Sequence, residues 1–289
     1  MKSDFSPEQI PLWGVFCLTF AMVLFAVWIG RFLGNRRRSL PDHEDASSLG
    51  TIVGSTLGLL AFMLAITFGM AADRFQIRKQ LLLDEVNAIG TTYLRAGLLQ
   101  EPHRSEVIKL LREYVDLRAN LSKEKPAEQI KKIHEVISRS EAIQNQMWSH
   151  AVAMARKDRN SEIDSLFISS LNDVIDYHNK RITVARYSIS TPIWVALYFI
   201  TILSMLMVGY QIGLSGKSNV KVIFLLALTF SAVVFLILDL DRAAEGRIKV
   251  SQQPMLELQK MMQTQIQQAD LGKQIWVLPG LQDVNEKEK

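Results

Sequence analysis

The chain has 289 residues, 48% of them apolar, with a mean hydropathy of +0.11 and a formal charge of +4. Apolar residues gathered into long charge-free runs exclude an ordinary soluble domain, and a single cysteine, Cys17, excludes a disulfide scaffold. The basic excess calls for no nucleic acid. It sits beside the apolar runs, at Arg36–Arg38, Arg78–Lys79 and Lys180–Arg181, where anionic headgroups accept it, and no aromatic-interleaved basic stripe occurs.

In chain order, Ile10–Gly30, Ala46–Ala72, Tyr187–Gly216 and Val222–Leu238 lack Asp, Glu, Lys, Arg and His. A helix crosses a bilayer with roughly 20 predominantly apolar residues. The predicted spans are residues 10–33, 49–72, 188–212 and 220–239. The first is an anchor rather than a cleaved signal, because Arg31 and Arg36–Arg38 follow the apolar run instead of preceding it. Two hairpins result, separated by a polar insert, 73–186, and followed by a tail, 240–289, expected to pack on the insert. Four spans place both termini and the insert on one side of the membrane.

The insert reads as helix throughout. Leu82, Val86, Ile89 and Tyr93 repeat at helical spacing and continue the second span without a break. Pro102 opens a second insert helix with Val107, Leu111, Tyr114 and Leu121 on one face. Pro126 opens a third, striped by Ile130, Ile133 and Ile137 and running to Lys157. An Asn-Ser cap starts a fourth, with Ile163, Phe167, Leu171, Val174 and His178 in register. This last helix is expected to lead into the third span unbroken until Pro192. After Pro254 the tail carries a further amphipathic helix. The fold class is therefore all-α: a four-span membrane protein with a helical extramembrane domain, its insert helices forming a stalk.

No catalytic chemistry emerges, and the protein is read as a non-enzyme without cofactor or metal. His43, His103, His134, His150 and His178 are scattered singly, without metal-ligand spacing, and each is read as structural. No nucleophile elbow, P-loop or dinucleotide fingerprint appears. Nor does any ionisable residue fall mid-span, which argues against a proton relay. Asp73 and Arg74 end the second span, and Asp239, Asp241 and Arg242 end the fourth, at one membrane face. They read as interfacial ion pairs or, around an oligomer axis, as charges at a pore mouth.

The second span carries the most pattern. At 100° per residue, Gly50, Gly54, Gly58, Ala61, Ala65, Gly69 and Ala72 fall within an arc of about 100°. Small residues at that spacing form a helix-packing seam, within or between subunits. Beside it runs a bulkier stripe, Ser55, Leu59, Phe62 and Ile66, which faces either lipid or a pore that it narrows to an apolar neck.

"GLLAFMLAITFGMAADRF", "LLLDEVNAIGTTYLRAGLL" and "LDLDR" with a following glycine and "VSQQP" together resemble the bacterial bestrophin-like membrane proteins. Gly58–Phe75, Asp84–Ala88 and Asp239–Gly246 carry most of the likeness, and Ala243 stands where the family pattern has proline. The resemblance implies kinship with pentameric four-span anion channels whose second span lines a narrow apolar neck. On that basis Leu59, Phe62 and Ile66 are neck candidates, and the insert is cytoplasmic, in a bacterial inner membrane. The short-loop charges Arg31, Arg36–Arg38, Lys217 and Lys221 favour the opposite orientation. The acidic calcium clasp of animal bestrophins has no clear counterpart. The expected partners are membrane lipid, inorganic ions and other copies of the chain, with no nucleic acid. The alternative is a non-conducting scaffold or sensor whose helical insert binds a partner. A stator-type proton-channel subunit shares only the layout.

Overall fold

The computed structural model describes residues 11–39, 49–123, 126–216, 220–242 and 248–270, and every regular element among them is an α-helix. These are α1 (Leu12–Arg38), α2 (Gly50–Ala96), α3 (His103–Lys123), α4 (Pro126–Lys157), α5 (Glu162–Arg186), α6 (Thr191–Ser215), α7 (Val220–Asp241) and α8 (Gln253–Asp270). The chain divides into two compact units, one of residues 1–76 with 187–249 and one of 77–186 with 250–289. Among the described residues four helices are long and apolar enough to cross a membrane. His43, Lys217, Ala243 and Gly246 lie outside the described residues.

In the first unit α1 packs against α6 and α7. The contact with α6 is set by four glycines. A methyl added at Gly30 would stand 2.0 Å from the carbonyl oxygen of Leu206, and one at Gly34 2.2 Å from that of Tyr210. Reciprocally, a methyl at Gly209 would meet the Val27 carbonyl oxygen at 2.2 Å, and one at Gly213 that of Arg31 at 2.5 Å. With lipid as solvent, association depends on such close backbone approach rather than on hydrophobic burial. Val23, Val27, Leu60, Leu197, Met205, Phe230 and Val234 fill the rest of the core. Gly216 ends α6 in the left-handed conformation, φ 67°, its N–H donating to the Gly213 carbonyl. Glycine adopts that conformation without steric cost.

The predicted unbroken passage from α5 into the third span does not form. Residues 187–190 are non-helical, and α6 begins at Thr191 with Ser190 as its N-cap. Pro192 has no N–H to continue a helical ladder, so the break moves upstream of it. The Ile189 N–H freed there donates to the Asp241 carboxylate, at 3.0 Å from Oδ2.

The second unit gathers the C-terminal part of α2 with α3, α4, α5 and α8. Leu82, Ile89 and Tyr93 of α2, Leu111 and Tyr114 of α3, Ile143 and Met147 of α4, and Phe167 and Leu171 of α5 are buried in one core. Met255, Leu258 and Met262 of α8 join it, and α8 packs on α3. Of the expected α5 face, Phe167, Leu171, Val174 and His178 are buried. Ile163, one turn earlier, is exposed, because it sits in the first turn of its helix.

Candidate functional site

The membrane portion of α2 has two unlike sides. Val53, Leu60, Thr67 and Ala71 are buried, and at 100° per residue they lie within about 20° of one line along the helix. Thr67 donates its hydroxyl to its own helix at the Met63 carbonyl, 2.7 Å, so the buried face carries no unmet polar group there. Opposite that line, Leu59 is 51% exposed, Phe62 61% and Ile66 43%. Ser55 is exposed too, its hydroxyl donating to the Thr51 carbonyl at 2.9 Å.

The small-residue arc lies on the same open side. Gly54, Gly58, Ala61 and Ala65 are exposed, and Gly69 is half-buried. A methyl built on Gly54, Gly58 or Gly69 meets nothing within 4 Å, and one on Gly50 comes no nearer than 3.4 Å to the Gln211 side chain. Among the described residues, the middle of the arc, Gly54 to Ala65, is therefore left without a packing partner. The glycines that do interlock are Gly30, Gly34, Gly209 and Gly213. "GRFLG" and "GYQIG" were the signal for them, overshadowed by the longer run of small residues in α2.

The charges that end the spans separate by environment. Asp239, Asp241 and Arg242 are buried, Arg74 is half-buried, and Asp73 is exposed. Arg74 Nε lies 3.1 Å from Asp241 Oδ1, and the same carboxylate accepts the Ile189 N–H. Asp239 Oδ2 accepts the Ile248 N–H at 3.3 Å. Both carboxylates thus terminate backbone donors that no helix satisfies, which offsets their desolvation. Of the expected mouth charges, Asp73 is the one whose side chain stands open.

Sequence reasoning missed a buried ionic cluster in the second unit. Glu85 of α2 is wholly buried and faces two arginines. Arg118 Nη2 lies 3.1 Å from Oε2, and Arg181 Nη1 also pairs with that oxygen. The Tyr114 hydroxyl donates to Glu85 Oε1 at 2.8 Å and stands 3.0 Å from His178 Nδ1. Gln144 Nε2 donates to the same hydroxyl at 3.4 Å. Burial alone would raise the Glu85 pKa, but Arg118 and Arg181 outweigh it and hold the carboxyl well below the usual range. Burial, reinforced by the Glu85 charge, pushes the Tyr114 hydroxyl well above 10. For Arg181 burial dominates and lowers the pKa, while for Arg118 the attraction of Glu85 overcomes burial and raises it. Four side chains, Arg118 of α3, Gln144 of α4 and His178 and Arg181 of α5, thus converge on one carboxylate–phenol pair. Nothing in the linear spacing of these residues announces it.

The histidines are not all solitary. His103 Nδ1 and His150 Nδ1 lie 3.0 Å apart, across α3 and α4. His134 is exposed. Among the described residues no group of three or more His, Cys, Asp and Glu side chains is placed to hold a metal ion.

Comparison with known proteins places this architecture. The family model for the bestrophin-like domain matches residues 17–255. The chain belongs to the bestrophin-like family. Solved structures agree with it in fold. A variant of a bacterial bestrophin homologue from Klebsiella pneumoniae superposes with a TM-score of 0.59 at 14% identity, covering 86% of this chain and 96% of its own. A second structure of a bacterial bestrophin homologue from that organism gives 0.59 at 13% identity, with 90% and 98% covered. A further crystal structure, of a membrane protein, gives 0.58 at 14% identity, with 92% and 99% covered. No curated protein matches by sequence. The bestrophin-like chain is thus an all-helical membrane protein, and its likeness to these structures is one of fold.

Proposed function

We propose that the protein is a passive ion channel, conducting anions, built from several copies of the chain with α2 of each copy facing a central pore. The observation that carries this reading is the open side of α2. Gly54, Gly58, Ala61 and Ala65 together with Ser55, Leu59, Phe62 and Ile66 are uncovered within the chain, opposite a buried line of Val53, Leu60, Thr67 and Ala71. Small residues let helices of neighbouring copies approach closely. The bulkier stripe beside them then forms an apolar constriction of the kind that gates by dewetting. The charge-free interior of all four spans supports passive conduction rather than ion coupling. Family membership favours a pentamer in a bacterial inner membrane, lipid around it, with both termini and the helical insert cytoplasmic.

Purified protein reconstituted in liposomes tests this directly. The expected result is a chloride flux that changes in Leu59→Ala and Phe62→Ala. A folded oligomer that passes neither anions nor cations overturns the reading and leaves a scaffold or sensor whose helical unit binds a partner. A stable monomer by mass measurement in detergent also overturns it, since no pore can form between subunits.

A further inference from the structure

His103 and His150 belong to neither the Glu85 cluster nor the open side of α2, and their rings meet nitrogen to nitrogen. His103 is the first residue of α3, and His150 lies in the last turns of α4. The two helices pack together and are joined at their other ends, so the pair closes the open end of the α3–α4 hairpin. The rings meet edge to face, 77° between planes and 5.3 Å between centroids, so flat stacking is not what holds them. Their Nδ1 atoms lie 3.0 Å apart, a hydrogen bond in which one ring donates its N–H to the other, and a metal ion would take the place of that shared proton. Two imidazole nitrogens each about 2.0–2.1 Å from a tetrahedral zinc ion stand roughly 3.3–3.4 Å apart. The two rings need to part by only a few tenths of an ångström to admit the ion. Both rings are half-buried, open enough for an ion to enter from water. On the inner side of the same α4 face, Met147, Ala151 and Met154 are buried in the core and fix the backbone that presents His150.

We propose that His103 and His150 form a two-histidine site for a transition-metal dication of the zinc class, bound through both Nδ1 atoms. Paired imidazoles select Zn2+, Ni2+ or Cu2+ over the hard cations Ca2+ and Mg2+. With no third side-chain ligand among the described residues, water completes the coordination, which makes the site an exchangeable one. An ion held there staples the start of α3 to the end of α4. Because the pair is not assembled in the unfolded chain, the ion stabilises the folded state. The site is independent of whether the protein conducts.

The test uses full-length protein in detergent, with any affinity tag removed, titrated with Zn2+ and Ni2+ by calorimetry. The expected result is one ion per chain, with affinity at least tenfold weaker in His103→Gln and in His150→Gln and unchanged in His134→Gln. Ca2+ and Mg2+ should give no such binding. Absence of saturable Zn2+ binding, or equal affinity in wild type and both Gln variants, overturns the site. X-ray absorption of the Zn2+-loaded wild type needs no variant to fold. Two imidazoles in the coordination shell support the assignment, and fewer than two overturn it.

Discussion

Asp241, at the end of α7, holds Arg74 of α2 and the Ile189 N–H ahead of α6 with one carboxylate, at 3.1 Å and 3.0 Å. Three separate segments of the membrane unit are joined at that group. Removing one partner of a buried pair leaves the other charge uncompensated, which costs about 3–5 kcal/mol, whereas replacing both is far milder. Asp241→Asn keeps an acceptor for Ile189 but strands Arg74. Its thermal midpoint in detergent should fall well below that of wild type. Arg74→Met with Asp241→Asn should recover part of the loss, a coupling that a double-mutant cycle measures.

The two glycine sets predict opposite behaviour. Alanine at Gly30 or Gly209 drives a methyl into a backbone carbonyl of the facing helix, which cannot yield as a side chain can. Gly30→Ala should therefore lower the yield of folded, monodisperse protein by several-fold on fluorescence-detected size exclusion. A methyl at Gly54 or Gly58 meets nothing within 4 Å among the described residues. Gly54→Ala and Gly58→Ala should leave the protomer folded and shift the oligomer toward smaller species. If the oligomer is unchanged, the α2 seam is not an interface between copies.

How much of this was legible in the sequence follows from the range of each interaction. The spans are readable because a charge-free run of about 20 residues has few other fates. The faces of α2, α3 and α5 in the second unit are readable because helical spacing is a local signal, and Leu82, Leu111 and Phe167 are indeed buried. Pro192 signals a break locally, but where the chain leaves the helix was not readable, since the acceptor that takes the Ile189 N–H lies 52 residues away. The Glu85 cluster was invisible for the same reason: Arg118 and Arg181 are 33 and 96 residues distant. In the second span periodicity identified a stripe of small residues but not what they touch.

The Glu85 cluster ties stability to pH. Its carboxyl is held below the ordinary value of 4.5 when folded. The contribution is therefore complete above about pH 4.5 and is lost as pH falls below that, toward the depressed folded value. For Tyr114 the folded pKa lies above 10. Its contribution is present below pH 10 and lost as pH rises through the higher folded value. Glu85→Gln leaves two arginines facing a neutral group and should cost about 3–5 kcal/mol at neutral pH. It should also flatten the acid limb of a plot of thermal midpoint against pH.

Tyr114→Phe tests the neutral half of the same cluster. It removes a hydrogen bond to an ionised carboxylate while preserving the ring that fills the core, for a cost of about 1.5–3 kcal/mol. The midpoint should drop less than in Glu85→Gln, and the alkaline limb rather than the acid limb should change shape. Equal losses in the two variants at neutral pH would mean that the arginines are compensated by something other than Glu85.

Asp73 directly follows the second apolar run and Asp241 lies three positions beyond the fourth, yet they differ in exposure, and that difference predicts different consequences of neutralising each. Asp73 is exposed, so Asp73→Asn should move the thermal midpoint little, within about 0.5 kcal/mol, as surface substitutions do. If the proposed channel opens near that residue, the substitution makes the entrance less negative and raises anion over cation permeability. Reversal potentials measured in asymmetric potassium chloride give the ratio, and Asp73→Asn should shift it toward the chloride potential. Asp73→Lys should shift it further in the same direction. An unchanged reversal potential in both variants, with flux intact, would place Asp73 away from the ion path.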